Sequence, residues 1–409
     1  MKSIGIIHYS TPPVIGGVEK IIGGQARELL HNDYPLKMIT GEGERFLEGM
    51  AFEKIEELSS SHPLNQRMME DLKRAKIPKG FNGFKEEIKR RITEAISGVD
   101  VLIIHNILTM HFNLGATLAL IEIIGEGKGR RYIAWCHDAT YIDPHYIGFG
   151  DRSRYPWNRL CRKVEGVCYV AITDSRRKAL SSLLGIPVEE IRVVHDAIDL
   201  DAIFGLHPKT RRLIAKYDLY EKDLLLLFPT RILPRKNIHI AMRIIHSLNE
   251  MGVRTTLIIT GPPDPHNPDV MDHFIDLKRM RSSLGLDEGV LFLYDEGNGK
   301  EWLVPDEVMP DFFKIADALL LTSRVEGFGI PIIEAGAYKL PVFANDIPQF
   351  REIGGEDTFY FNMEEEPRDI AKRIIQVYEG LRPSRMFKKV VRHFSWPMIF
   401  KNRIEPLLE

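Results

Sequence analysis

The chain has 409 residues, 44% hydrophobic, 27% charged and 9% aromatic, and a formal net charge of −2. That is the make-up of a soluble globular protein, too long for one ordinary core and about right for two domains. The near-neutral balance excludes a bulk basic field for nucleic acid. Cys136, Cys161 and Cys168 form no C-x-x-C pair, so neither a disulfide framework nor a zinc knuckle is indicated.

In chain order, the first apolar run, residues 4–7, is too short for a signal h-region or a membrane span. Later runs are strand-sized, which points to a cytoplasmic protein. Residues 4–8, 101–105, 132–135, 167–173 and 191–195 read as buried strands in the first half. Residues 224–230, 256–261, 290–294, 318–322 and 341–344 do so in the second. Amphipathic stretches such as 238–248 separate them. Flat apolar strands alternating with helices predict parallel sheets covered on both faces: an α/β chain of two doubly wound, Rossmann-like sheets, five strands each.

The expected boundary lies near residue 200, giving domains 1–200 and 201–386, with a C-terminal helix over about 387–409 packing back on the first. Residues 42–97 are charged and poor in strand signal. Within them Phe84, Ile88, Ile92 and Ile96 make one helical stripe opposite Lys89, Arg90 and Arg91. That stripe predicts a helix packed on the first sheet; an acceptor-facing or peripheral membrane helix is the other reading. Ligands of open parallel sheets bind beyond the carboxyl ends of the strands, so two such sheets imply a cleft between them.

The chemistry-bearing segments follow predicted strands. Residues 322–335 run from a buried strand through a glycine-containing loop to Pro331, a residue suited to the first turn of a helix. The amides of such a helix start prefer a phosphate, and Glu326 and Glu334 flank it. Arg231 and Lys236 follow the first strand of the second half, where two cations can stabilise charge on a departing diphosphate; Arg235 is a less favoured stand-in. Gly16 and Gly17 follow the first strand of all, and side-chain-free glycine lets backbone amides approach an anion. His137 lies just past another strand. His8, His105 and His111 have no ligand spacing, and Asp138 has no assignable role.

Glu326 and Glu334, with seven residues between them, resemble the E-x7-E motif of the family 4 (GT4) retaining glycosyltransferases, which have the two-domain GT-B fold. Residues 323–355 are similar to that family's most recognisable stretch. Arg231 and Lys236 match its R-x4-K element, and Gly16, Gly17 and Glu19 its G-G-x-E segment. The resemblance implies an N-terminal acceptor domain facing a C-terminal nucleotide-sugar domain across a cleft. It implies transfer of a hexose from a UDP-glucose or GDP-mannose type donor to an acceptor hydroxyl, with retention, no cofactor and no metal. In the family's terms Glu326 contacts the sugar, Glu334 the ribose, and the amides of Phe328, Gly329 and Ile330 approach the phosphate and sugar. Arg231 and Lys236 would hold the diphosphate and His137 the sugar's reacting face. The acceptor, whether small molecule, glycan or lipid-linked sugar, is not specified.

The sequence departs from the family at residues 345–348, where a glycine pair is missing, and at 194–196. Residues 261–272 look like an enlarged loop. Asp199 and Asp201 form a D-x-D, the metal mark of a different fold, and read as structural. The alternatives are a nucleotide-sugar epimerase or other enzyme of this fold, and a non-catalytic nucleotide-sugar-binding protein. A dinucleotide oxidoreductase is disfavoured because no G-x-G-x-x-G follows the first strand.

Overall fold

The computed structural model describes residues 1–409 except 75, 128, 147, 267, 268 and 298. Two of the exceptions fall in the predicted enlarged loop, 261–272, so that part of it lies outside the described residues. The chain divides into two compact units: Met1–Asp199 with His393–Glu409, and Leu200–Arg392.

The first unit contains β1 (Ile4–Ser10), α1 (Gly17–His31), β2 (Leu36–Glu42), β3 (Ala51–Lys54), α2 (Phe81–Ala95), β4 (Val101–His105), α3 (Leu114–Gly125), β5 (Arg131–Cys136), β6 (Val167–Ala171) and β7 (Arg192–Val193). The seven strands are parallel, in the order β3-β2-β1-β4-β5-β6-β7. Alternate residues serve opposite faces. Ile7, Leu102, Ile104 and Ala134 enter one core, whereas Ile4, Ile6, Val101, Ile103 and Ile133 enter the other. Burial on both faces is why these runs show no polar alternation.

Phe84, Ile88 and Ile92 of α2 lie in the first of those cores, so the stripe is core. Lys85 and Lys89 meet Glu122, Lys89 also meets Glu126, Arg90 bridges Glu87 and Glu94, and Arg91 donates to the Lys54 carbonyl. No helix among the described residues is long and apolar enough to cross a membrane.

The second unit contains β8 (Leu224–Phe228), α4 (Ile238–Glu250), β9 (Thr255–Ile259), β10 (Val290–Phe292), β11 (Ala318–Leu321), α5 (Ile330–Ala337), β12 (Val342–Asn345), β13 (Phe359–Phe361), α6 (Pro367–Gly380) and α7 (Arg382–Phe394). Its six strands are parallel in the order β10-β9-β8-β11-β12-β13. A single apolar cluster runs from Leu206 to Ile374 through this sheet and its helices.

Two doubly wound units are therefore present, but with seven and six strands instead of five each. The additional strands are β2, β3 and β13. β3 is a largely exposed edge strand, Ala-Phe-Glu-Lys, and β13 an edge strand of three residues, so neither needs a long apolar run. In each sheet the winding reverses once, between β1 and β4 and between β8 and β11. The carboxyl ends of the strands at such a reversal leave a crevice into which ligands fit.

The last seventeen residues are not one helix. After α7 come short helical turns, Trp396–Ile399, Phe400–Ile404 and Glu405–Leu408, and Trp396, Ile399, Phe400 and Leu408 join the first unit's core. A Cβ on Gly24 of α1 would fall 2.1 Å from the Trp396 ring, so glycine makes room for the indole.

Candidate functional site

At the reversal of the second sheet, backbone bonds join two strand-end loops before any charged pair is considered. The loop after β8 closes in a 3₁₀ turn, Pro234–Lys236, ended by Asn237 at φ 53°. Thr322, just after β11, donates through Oγ1 to the carbonyls of Lys236 (2.9 Å) and Asn237 (3.1 Å). The amide of Arg324 donates to the Arg235 carbonyl at 2.8 Å. On the other side Asn345 donates through Nδ2 to the Ser323 carbonyl at 2.9 Å. Part of the departure at 345–348 thus holds the same loop.

This framework brings Lys236 and Glu326 together. Lys236 Nζ lies 2.5 Å from Glu326 Oε1, and both side chains are well covered, at 12% and 14% exposure. Arg235 Nη1 lies 3.3 Å from the other oxygen, Oε2, and donates to the Val325 carbonyl at 2.8 Å. Burial raises the Glu326 pKa, but the Lys236 hydrogen bond and charge outweigh it and hold the carboxyl below its ordinary value. Burial lowers the Lys236 ammonium, and Glu326 only partly offsets this. Arg231 is more exposed and turns to Asp264 Oδ1 at 3.7 Å. Of the two arginines considered from spacing, Arg235 is therefore the one placed beside Lys236.

The helix α5 starts from Gly329, buried at φ 114° and ψ 37°. Among the described residues, the amides of Phe328, Gly329 and Ile330 have no hydrogen-bond partner. Unpaired amides at a helix start are an anion site. Glu334 lies one turn further, with its carboxyl raised by partial burial and no ion pair among the described residues. The two glutamates are thus electrostatically distinct: Glu326 is compensated by two cations and Glu334 by none.

In the first unit Gly16 precedes α1 and Gly17 opens it. Here a carboxylate already occupies the approach, because a Cβ on Gly16 would fall 2.0 Å from Glu19 Oε2. Ser10 Oγ donates to the other Glu19 oxygen at 2.5 Å. His137 is buried, and its ring stacks on His105 with centroids 5.3 Å apart. His137 Nε2 lies 3.1 Å from His105 Nδ1, and His137 Nδ1 lies 3.7 Å from Asp196 Oδ1. His105 Nε2 in turn lies 3.0 Å from Gln25 Oε1. His8 is close by, its ring 6.3 Å from that of His105, and burial lowers its pKa to about 4.

Sequence spacing gave no role to His105, Gln25 or Asp196. The available signal was that β1, β4 and β5 each carry a histidine at or near the carboxyl end, and it becomes visible only with the strand order. His111 is a packing residue, bonded to Thr140 Oγ1 at 3.0 Å among Phe149, Tyr146 and Trp157. Asp138 pairs with Arg176 at 2.6 Å. Asp199 pairs with Arg27 at 3.7 Å and Asp201 with Arg211 at 4.0 Å. Among the described residues no cluster of three or more His, Cys, Asp or Glu side chains could hold a metal. The three cysteines are free.

The second unit, of the doubly wound α/β class, thus gathers cations, unpaired amides and a helix start at the ends of adjacent parallel strands, an arrangement suited to an anion. Residues 209–393, nearly all of that unit, match the family model "Glycosyl transferases group 1". The serotype-specific mannosyltransferase WbdA of Escherichia coli is 45% identical over 75 residues, 18% of this chain and 9% of WbdA. A GDP-mannose-dependent alpha-(1-6)-phosphatidylinositol monomannoside mannosyltransferase of Mycolicibacterium smegmatis is 27% identical over 251 residues, 59% of each chain. The O-antigen chain mannosyltransferase B of Escherichia coli is 25% identical over 235 residues, 55% of this chain and 56% of its own. The chain spans less than two thirds of the length of each of these relatives.

Proposed function

We propose that the chain is a retaining, metal-independent glycosyltransferase of the GT4 type, moving a hexose from a nucleoside-diphosphate sugar to an acceptor hydroxyl. The observation that carries this reading is the placement of Lys236 and Arg235 on Glu326, beside the unpaired amides of residues 328–330, at the sheet reversal. Mannose is the favoured sugar and GDP-mannose the favoured donor, because the three relatives are mannosyltransferases by name and one is GDP-mannose-dependent.

In this reading the diphosphate sits on the α5 amides and on Lys236, and Arg231 and Arg235 exchange their Asp264 and Glu326 contacts for it. Glu326 orients the sugar hydroxyls and Glu334 accepts from the ribose. The bond between the anomeric carbon and the phosphate oxygen breaks, and the acceptor oxygen bonds to that carbon on the same face. The acceptor proton passes to the departing phosphate oxygen. Positioned cations and amides stabilise the charge that develops there, the role a metal plays elsewhere.

The test is a thermal-shift and transfer screen of the full chain with GDP-mannose and UDP-glucose, in EDTA and over a panel of soluble and lipid-linked sugar acceptors. GDP-mannose at 100 times its Kd should stabilise by about 2.7 kcal/mol. The product should keep the donor's anomeric configuration by NMR. A larger shift with UDP-glucose would reverse the donor assignment. Absence of binding by every nucleotide sugar would overturn the whole reading.

A further inference from the structure

The first sheet also reverses its winding, between β1 and β4, and polar side chains line up beyond its strand ends. Gln25 from α1, His105 at the end of β4 and His137 after β5 are linked by contacts of 3.0 and 3.1 Å, and Asp196 after β7 stands 3.7 Å beyond. Gln25 and His105 are fully buried and His137 nearly so, whereas the Asp196 side chain is 38% exposed. Asp196 Oδ1 is itself buried and has no hydrogen-bond partner, and neither does Gln25 Nε2. The exposure of Asp196 therefore lies away from Oδ1.

Proton counting shows what this row of side chains does. Burial holds His105 well below its ordinary pKa, so it is neutral and carries one proton. If that proton is on Nε2, donated to the Gln25 amide oxygen, His105 Nδ1 is an acceptor and His137 Nε2 must donate to it. His137 Nδ1 would then turn a lone pair toward a carboxylate, which disfavours this arrangement. If the Gln25 amide is turned over, its Nε2 donates to His105 Nε2, and His105 Nδ1–H donates to His137 Nε2. His137, accepting at Nε2, then has its N–H at Nδ1. Amide orientation and histidine tautomer are set by such networks. The second arrangement is the satisfied one, and it places a proton on His137 Nδ1, facing Asp196 Oδ1 across 3.7 Å.

We propose that Gln25, His105 and His137 are a positioning relay that orients Asp196, with His137 Nδ1 facing Oδ1 and the other oxygen presented to a hydroxyl of the acceptor sugar. The inference rests on the glycosyltransferase reading for the identity of the ligand, but not for the geometry. A carboxylate oriented in this way can accept a short, directional hydrogen bond, as sugar hydroxyl recognition requires. His8, whose ring nitrogen contacts the Ser10 carbonyl at 2.7 Å, Glu19 beyond Ser10, and the Asp138–Arg176 pair are titratable or charged groups near the relay. None is bonded to it.

Two measurements test this on the full chain. Histidine-selective ¹⁵N NMR at pH 7 should show His137 with Nδ1 protonated, and Gln25→Leu or His105→Gln should leave His137 in mixed tautomers. A His137 with a bare Nδ1, or a tautomer indifferent to both substitutions, would overturn the relay even if no transfer activity is ever found. With activity in hand, Asp196→Asn should raise the acceptor KM at least tenfold and leave the donor KM unchanged. An unchanged acceptor KM, with the relay intact by NMR, would overturn the role of Asp196 while leaving donor chemistry standing.

Discussion

Two opposing demands meet on the ammonium of Lys236. Burial disfavours its charge, while Glu326 and an arriving diphosphate require it. Lys236→Ala should lower kcat by on the order of 10²–10³, the cost of losing one positioned donor to a leaving group. The fold should survive, because Arg235 still compensates Glu326 from the other oxygen. The pH dependence separates chemistry from unfolding. The Lys236 pKa lies below its ordinary 10.5 in the folded chain, so kcat/KM should fall with rising pH at a limb below that value. In the same window the unfolded chain binds more protons, so this group makes stability rise with pH while activity falls. Lys236→Arg should move the limb upward, since guanidinium does not titrate there. A pH–rate profile of both proteins beside a thermal melt at each pH checks the opposite signs. Glu326 acts at the other end: its lowered pKa contributes stability above the ordinary carboxylate range, lost as pH falls through the folded value.

The start of α5 depends on one backbone angle. At φ 114° Gly329 occupies a conformation that side chains avoid, and a Cβ there would also meet Phe350 Cδ1 at 3.2 Å. Gly329→Ala should cost about 1–3 kcal/mol of strain and weaken donor binding by roughly tenfold, as the amides of residues 328–330 turn out of line. Gly336, with open space around its Cβ in the same helix, is the control: Gly336→Ala should stabilise by about 0.5–1 kcal/mol. Paired melts and donor titrations check both. This scale also explains what could be read from sequence. β8, β11 and the α5 start were legible because both faces of those strands are buried and a proline marks the helix. β3 and β13 were not, since short edge strands need little apolar surface, and β2 was not because Lys37, Thr40 and Gly41 interrupt its apolar run although the strand is interior. Counting residues favoured Arg231 over Arg235, but the 3₁₀ turn at Pro234–Lys236 directs Arg235 to Glu326 and leaves Arg231 with Asp264. His105 was passed over because only strand order makes it a neighbour of His137.

Each unit has its own apolar core, and the first is completed only by residues that return after the whole of the second. Domains with separate cores unfold as separate cooperative units unless a large interface couples them. The full chain should therefore show two calorimetric transitions, which different perturbations move independently. Gly24→Ala places a methyl where the Trp396 ring now lies, at 2.1 Å, and should displace the C-terminal turns. Losing a buried tryptophan from a core costs on the order of 3–5 kcal/mol, so the transition of the first unit should fall by several degrees. GDP-mannose should instead raise the other transition, because Lys236, Glu326 and the amides of 328–330 all belong to the second unit. Fluorescence can assign them: Trp135, Trp157 and Trp396 report on the first unit, whereas Trp302 is the one tryptophan of the second. Trp302→Phe should silence the fluorescence change of the donor-sensitive transition and spare the other. A single transition moved by both the substitution and the donor would mean that the two cores unfold as one, and that the stability of the donor site is inseparable from the C-terminal return.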